Sequence, residues 1–254
     1  MFLLNQVNQF RGRNPKCLSQ EENGIEGRAI FSLFKKEEAS STPISEKFFS
    51  RWRSEAVHIS DHEEQQLWGR VLSEENQKEG TFSLSTIDVL RNIDKESAKI
   101  FSTVCAYVAF GDQIILNDDY GIDSTINTQA LLRLQELGLL SITTPVRLCT
   151  DVPTMPFDGE KTYFFEVEPY LVLIDAQDEK LSFLYAKLTT AGKEIRKVAI
   201  KVNENIMLDL CKFIFRIKNF ENVKKISYGK YEVPIINRYY RVDALQQITR
   251  DPAE

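Results

Sequence analysis

Only two histidines, His58 and His62, occur among the 254 residues, so few ways exist to build a histidine-based catalytic triad or a histidine-rich metal site. They stand four apart beside Asp61 and Glu63. A helix cap at Ser60 falls between them, and i, i+4 side chains meet only on a continuous helix. The glutamate placement of an HExxH protease is missing too. The four cysteines, Cys17, Cys105, Cys149 and Cys211, are widely separated with no CxxC pair, which argues against a zinc ribbon or a disulfide framework. Cys105 and Cys211 fall in apolar helical patterns, where a thiol acts as a small hydrophobe. The eleven glycines are scattered: there is no GxxxxGK[ST] phosphate loop, dinucleotide fingerprint or GxSxG elbow. The acid pairs Asp118-Asp119, Glu63-Glu64 and Glu74-Glu75 each suit a turn or a solvated face. No catalytic residue, metal ligand or cofactor is therefore assigned. No run reaches the roughly 20 apolar residues of a membrane span, and MFLLNQVNQF is too short an apolar stretch for a signal peptide. The expectation is a cytoplasmic protein without a membrane partner.

What is present is ordinary globular material, 43% hydrophobic and 27% charged, enough for a substantial core. Residues 1–43 are polar and irregular and read as a flexible arm. From Ser45, Phe48, Phe49, Trp52 and Ala56 recur at helical spacing. Ser60 followed by Glu63 reads as a capping box that starts a helix near Asp61, with Leu67, Trp68, Val71 and Leu72 as its apolar stripe and Trp68 as a core residue. Ser83 and Asp94 cap two further helices, the second burying Ala98, Phe101, Val104, Cys105 and Val108. Residues 44–110 thus read as a four-helix module.

Residues 111–200 change character. A short strand, Gln113 to Leu116, precedes an amphipathic helix, Thr128 to Leu137, ended by Gly138. Tyr163 to Val167, Leu171 to Ile174 and Leu181 to Lys187 are β-prone runs of a small antiparallel sheet. The order suggests a winged-helix-like module. LTTAGKEI, from Leu188 to Ile195, resembles the threonine-capped LTxxGxEL helix that closes many repressor-like domains. Residues 201–254 hold an apolar helix and β-prone runs, either a further α+β unit or the completion of the preceding sheet. The expected class is α+β: an N-terminal helical bundle, a winged-helix-like module with a small antiparallel sheet, and a C-terminal helix plus strands.

Charge is unevenly spread. Between Ala191 and Val242 twelve basic residues face five acids, a segment of +7 in a chain of −5, so the remainder carries −12. Such asymmetry steers anionic partners to one end or joins copies head to tail. Lys212, Arg216, Lys218, Lys224, Lys225, Lys230, Arg238 and Arg241 are the candidate nucleic-acid contacts, with Phe213, Phe215, Phe220, Tyr228, Tyr231, Tyr239 and Tyr240 available either for base stacking or for the core. The expected DNA-reading helix is poorly suited to that task. It offers Gln129, Arg133 and Gln135 together with Glu136, behind Asp118, Asp119 and Asp123.

ISDHEEQQLWGRVLSEE, followed by GTFSLSTIDVLRNIDKESAKIF, resembles an uncharacterised bacterial family with a signature close to ISDEExQxLWARxLAGE and then GxFSxRTLxxLxxLxKxDAxLF. Ser60, Glu63, Gln66, Leu67, Trp68, Leu72, Glu75, Phe82, Ser83, Thr86, Leu90, Ala98 and Phe101 carry the likeness, which spans about Phe48 to Phe110. Gly69 stands where alanine is usual, and Ser85 where arginine is frequent. The resemblance implies a helical module joined to a variable C-terminal part, in bacterial and mobile-element proteins, some suspected of phage defence. It transfers no site residue. The leading expectation is a non-enzymatic interaction or regulatory protein, such as an accessory factor in phage defence, with a protein partner or self-association. Nucleic-acid binding through the basic C-terminal part is the alternative, and an enzyme such as a nuclease, whose acids converge only on folding, is the third.

Overall fold

The structure, a computed structural model, describes residues 44–117, 119, 121–123, 125–142, 149–157, 160–177, 180–232, 241–242 and 245–250. The expected arm at 1–43, Cys17, Asp118, Arg238, Tyr239 and Tyr240 lie outside them. The described residues contain seven α-helices and two antiparallel sheets, so the chain is α+β. It divides into two compact units, Met1–Asn92 and Ile93–Glu254.

The first unit contains α1 (Glu46–Ala56), α2 (His62–Gln77) and α3 (Leu84–Arg91). Phe48, Trp52 and Ala56 form the buried face of α1, against Trp68, Val71 and Leu72 of α2 and Ile87 and Leu90 of α3. Ser45 and Ser83 cap α1 and α3 through their hydroxyls. The cap of α2 lies one residue beyond the expected Ser60. Asp61 takes the extended cap conformation, and its Oδ1 accepts from the N–H groups of Glu63 (2.9 Å) and Glu64 (3.1 Å). A carboxylate is the stronger acceptor at the positive end of a helix, so the aspartate displaces the neighbouring serine. His62 becomes the first residue of α2, while His58 lies beyond the end of α1.

Residue Glu75 of α2, only 2% exposed, serves the connection to α3. Its Oε1 accepts from the Gly80 N–H at 2.7 Å and its Oε2 from the Phe82 N–H at 2.9 Å. Two backbone donors that the turn would strand are thereby paired.

The second unit opens with α4 (Lys95–Val104), capped by Asp94, which the contacts group with the sheets and not with α1 to α3. Strands β1 (Val108–Ala109) and β2 (Gln113–Leu116), helix α5 (Thr128–Glu136) and β3 (Leu140–Ser141) follow. Next come β4 (Cys149–Asp151), β5 (Thr154–Phe157), β6 (Glu160–Val167), β7 (Tyr170–Ala176) and β8 (Ser182–Leu188). Helices α6 (Thr190–Ala199) and α7 (Glu204–Arg216) precede β9 (Val223–Glu232), β10 (Arg241–Val242) and β11 (Gln246–Thr249).

The β-prone runs expected to share one small sheet belong to two. β8 pairs with β2 along one edge and with β3 and β4 end to end along the other, giving a five-stranded sheet in the order β1-β2-β8-β3 with β4 beside β8. β6 and β7 lie instead in a six-stranded sheet, β10-β9-β7-β6-β5, with β11 also on β9. The C-terminal strands therefore complete the preceding sheet. Pro156 sits in β5, at the end of that order, where a residue without an N–H costs least. Phe183 of β8 joins the two sheets in the core: its ring meets Phe165 of β6 edge-on at 5.5 Å and stacks on Phe220 at 4.6 Å.

Helix α6 meets the end of β3 closely. The Thr189 Oγ1 donates to the Gly138 carbonyl at 2.6 Å and accepts from the Gly192 N–H at 3.0 Å, capping α6 while tying it to the turn after α5. A Cβ on Gly192 would fall on the Leu139 carbonyl oxygen, well inside van der Waals contact. The threonine and glycine of LTTAGKEI thus have one task, to let a helix start against a passing backbone.

Candidate functional site

The expected nucleic-acid contacts are distributed over several elements. Lys212 and Arg216 are exposed on α7, and Lys218 is exposed in the 3-10 turn after it. Lys224 and Lys230 are exposed near opposite ends of β9, a separation of roughly 20 Å at about 3.3 Å per residue. Lys225 is half-buried and lies in register with Asp175 of β7, a cross-strand acid. Arg241 is in β10, and Arg238 lies outside the described residues. Phe213, Phe215, Phe220 and Tyr228 are buried, so their rings belong to the core. Tyr231 is half-buried, and its phenol is pushed up to about 12 by burial and by the neighbouring Glu166 carboxylate, to which it hydrogen-bonds.

Helix α5 presents Gln129, Leu132, Arg133 and Glu136 to solvent. Its arginine is engaged: Nη1 contacts Glu96 and Nη2 contacts Asp94, each at 3.0 Å. Asp94 is held down at about 2, first by the backbone and side-chain hydrogen bonds from Ser97 and then by Arg133. Exposed Asp119 and Asp123 lie in the segment leading into α5. Among the described residues no three His, Cys, Asp or Glu side chains gather as metal ligands, and no helix is long and apolar enough to cross a membrane.

The basic residues that do converge are those of α6. Ala191, Gly192, Ile195 and Val198 form its buried face, which turns Lys193, Arg196 and Lys197 the other way, one helical turn apart. With Lys201 just beyond the helix they line a cavity of about 590 Å³, together with Gly111, Glu168, Pro169, Ile200 and Val202. Lys193 reaches Asp112 at 3.5 Å, an acid shared with Lys187 at the same distance. Arg196, Lys197 and Lys201 form no ion pair among the described residues. Burial lowers the Arg196 guanidinium from its ordinary range, opposed by its neighbours Cys105 and Glu168. Burial pushes the Cys105 thiol up to about 12, so it is neutral near pH 7 and offsets none of the arginine's charge. Sequence reasoning counted these four cations in the basic surplus without singling them out. The available signal was their i, i+3, i+4, i+8 spacing, opposite the apolar stripe that follows Thr189.

Residues 11–115 match the model of a family described as "Protein of unknown function (DUF2806)", a stretch that contains α1 to α4 and β1 and ends within β2. No curated protein and no solved structure matches the chain.

Proposed function

We propose that the chain is a non-enzymatic interaction or regulatory protein of the bacterial cytoplasm or of a mobile element, serving as an accessory factor in phage defence, with a helical bundle followed by a winged-helix-like module. The frame of that module is supported by the element order α4, β2, α5, β3, β8, with β8 between β2 and β3. In such a frame α5 stands where a DNA-reading helix would be.

The observation that carries the reading is the engagement of Arg133 by Asp94 and Glu96. A DNA-reading helix keeps its arginine free for a base edge or a phosphate. Here that arginine is neutralised, Leu132 is exposed, and the approach is acidic, a surface better matched to protein than to a polyanion. Affinity purification of the full chain from a native host, run beside its Leu132→Glu variant, tests this. A stoichiometric partner, a second copy included, is expected with the unmodified chain and lost with the variant. Recovery of no partner, or a duplex-DNA complex abolished by Gln129→Ala, contradicts it.

Nucleic-acid binding through the basic C-terminal part is a second reading, favoured by the exposure of Lys212, Arg216, Lys218, Lys224 and Lys230. It predicts an affinity that falls with salt. If Lys224→Glu with Lys225→Glu leaves both affinity and salt slope unchanged, those two lysines play no part in it.

A further inference from the structure

We infer that the cavity beside α6 is a binding site for an oligophosphate group, held by Lys193, Arg196, Lys197 and Lys201. The inference goes beyond the protein-partner reading and does not depend on it. Four cations against the single carboxylate of Glu168 give the lining a net charge of +3. Arg196 is half-buried there, and three of the four cations have no counter-charge within ion-pair distance among the described residues. A desolvated guanidinium without a hydrogen-bonded anion is costly, and an anion entering the cavity would relieve that cost.

The bland explanation is that cations near the end of α6 complement its dipole. That effect is satisfied by one or two charges in the last turn, here Arg196 and Lys197. It accounts neither for Lys193 in the first turn nor for Lys201 beyond the helix. All four nevertheless line one concavity.

Size and lining then narrow the ligand. A cavity of about 590 Å³ lies within the usual range of roughly 300–1,000 Å³ for small-molecule sites. Its walls are lysine and arginine side chains with Ile200, Val202, Pro169 and Gly111, and no aromatic ring among them could stack a base. Recognition must therefore be by charge. Several positive groups around one small space suit a compact anion with several phosphates, whose oxygens accept from ammonium and guanidinium donors together. That chemistry is shared by free tripolyphosphate and by the phosphate chain of a nucleoside triphosphate.

Calorimetric titration of the full chain at low salt with phosphate, pyrophosphate, tripolyphosphate and ATP tests the site. Affinity is expected to rise with phosphate number. Lys197→Glu and Lys201→Glu should each weaken tripolyphosphate by about tenfold or more, whereas Lys212→Glu, outside the cavity, leaves it within about twofold. Equal binding of tripolyphosphate and ATP identifies the phosphate chain alone as the ligand, and tighter ATP binding identifies a nucleotide-borne chain; both support the site. Lys197→Gln, milder for the fold, should give an intermediate loss with an unchanged melting temperature in the absence of ligand. No binding of any oligophosphate overturns the inference, as does equal loss with Lys212→Glu. Binding of a single-stranded oligonucleotide that tripolyphosphate does not displace also overturns it, in favour of a nucleic-acid backbone.

Discussion

The indole Nε1 of Trp52 donates a hydrogen bond of 3.0 Å to the main-chain carbonyl of Trp68, and both residues are buried, at 1% and 4% exposure. One tryptophan thus fixes the spacing of α1 and α2 through a polar contact made inside an apolar layer. Trp52→Phe removes the donor and part of the ring and should cost about 1–3 kcal/mol; Trp52→Ala, which also opens a cavity, should cost about 3–5 kcal/mol. Urea unfolding followed by tryptophan fluorescence and circular dichroism checks both. Equal costs for the two variants would mean that the hydrogen bond, lost in both, and not the bulk of the ring, carries the contact.

Glu75 should prove to be a structural carboxylate. Glu75→Ala strands the Gly80 and Phe82 N–H groups and is expected to destabilise the first unit by about 2–4 kcal/mol, whereas Glu75→Gln, which keeps one acceptor oxygen, should cost less. Amide hydrogen exchange reports it directly. Protection at Gly80 and Phe82 should fall in the alanine variant before protection falls elsewhere in α2.

Gly192→Ala should destabilise the second unit despite the better helix propensity of alanine, worth about 1 kcal/mol. The new methyl meets the Leu139 carbonyl oxygen, and a backbone atom has no rotamer with which to give way. The expected net loss is about 1–3 kcal/mol. A thermal melt of the variant against the unmodified chain decides the sign.

The Asp94 cap sets an acid limit on α4. Because its carboxyl titrates at about 2 in the folded state, below the unfolded carboxylate value, the stability it adds is present in full above about pH 4 and disappears as pH falls through about 2. Half the side chain is exposed, so solvent screening keeps the effect small. Asp94→Asn retains a capping oxygen and removes the titration. The stability difference between the two proteins should shrink between about pH 4 and 2, and a carbon-detected NMR titration should place the Asp94 carboxyl near the low end of that window.

The helices were legible because their signals are local. Ser83 and Asp94 cap where the sequence places them, whereas Ser60 yielded to its neighbour, since two adjacent cap residues compete by acceptor strength. Strand positions were legible too, but their partners were not. Tyr170–Ala176 and Ser182–Leu188 are near neighbours in sequence and similar in pattern, yet β7 pairs with β6 and β9 while β8 pairs with β2, β3 and β4. Nothing in their alternation encodes that choice, which for the β7–β9 and β2–β8 pairings depends on segments more than 40 residues away. The cavity was hidden for a related reason. The cations of α6 are close in sequence, but Glu168 and Gly111, which make their surface concave, arrive from two other connections.

The pairing of β7 with β9 also bears on the order of events while the chain is being made. Tyr170 to Ile174 are buried, and their edge remains unmatched until Val223–Glu232 has left the ribosome about fifty residues later, after α6 and α7 have already been synthesised. A nascent chain stalled in that interval would expose an open row of peptide groups flanked by apolar side chains. During that period the strand is open to pairing with the edge of another chain.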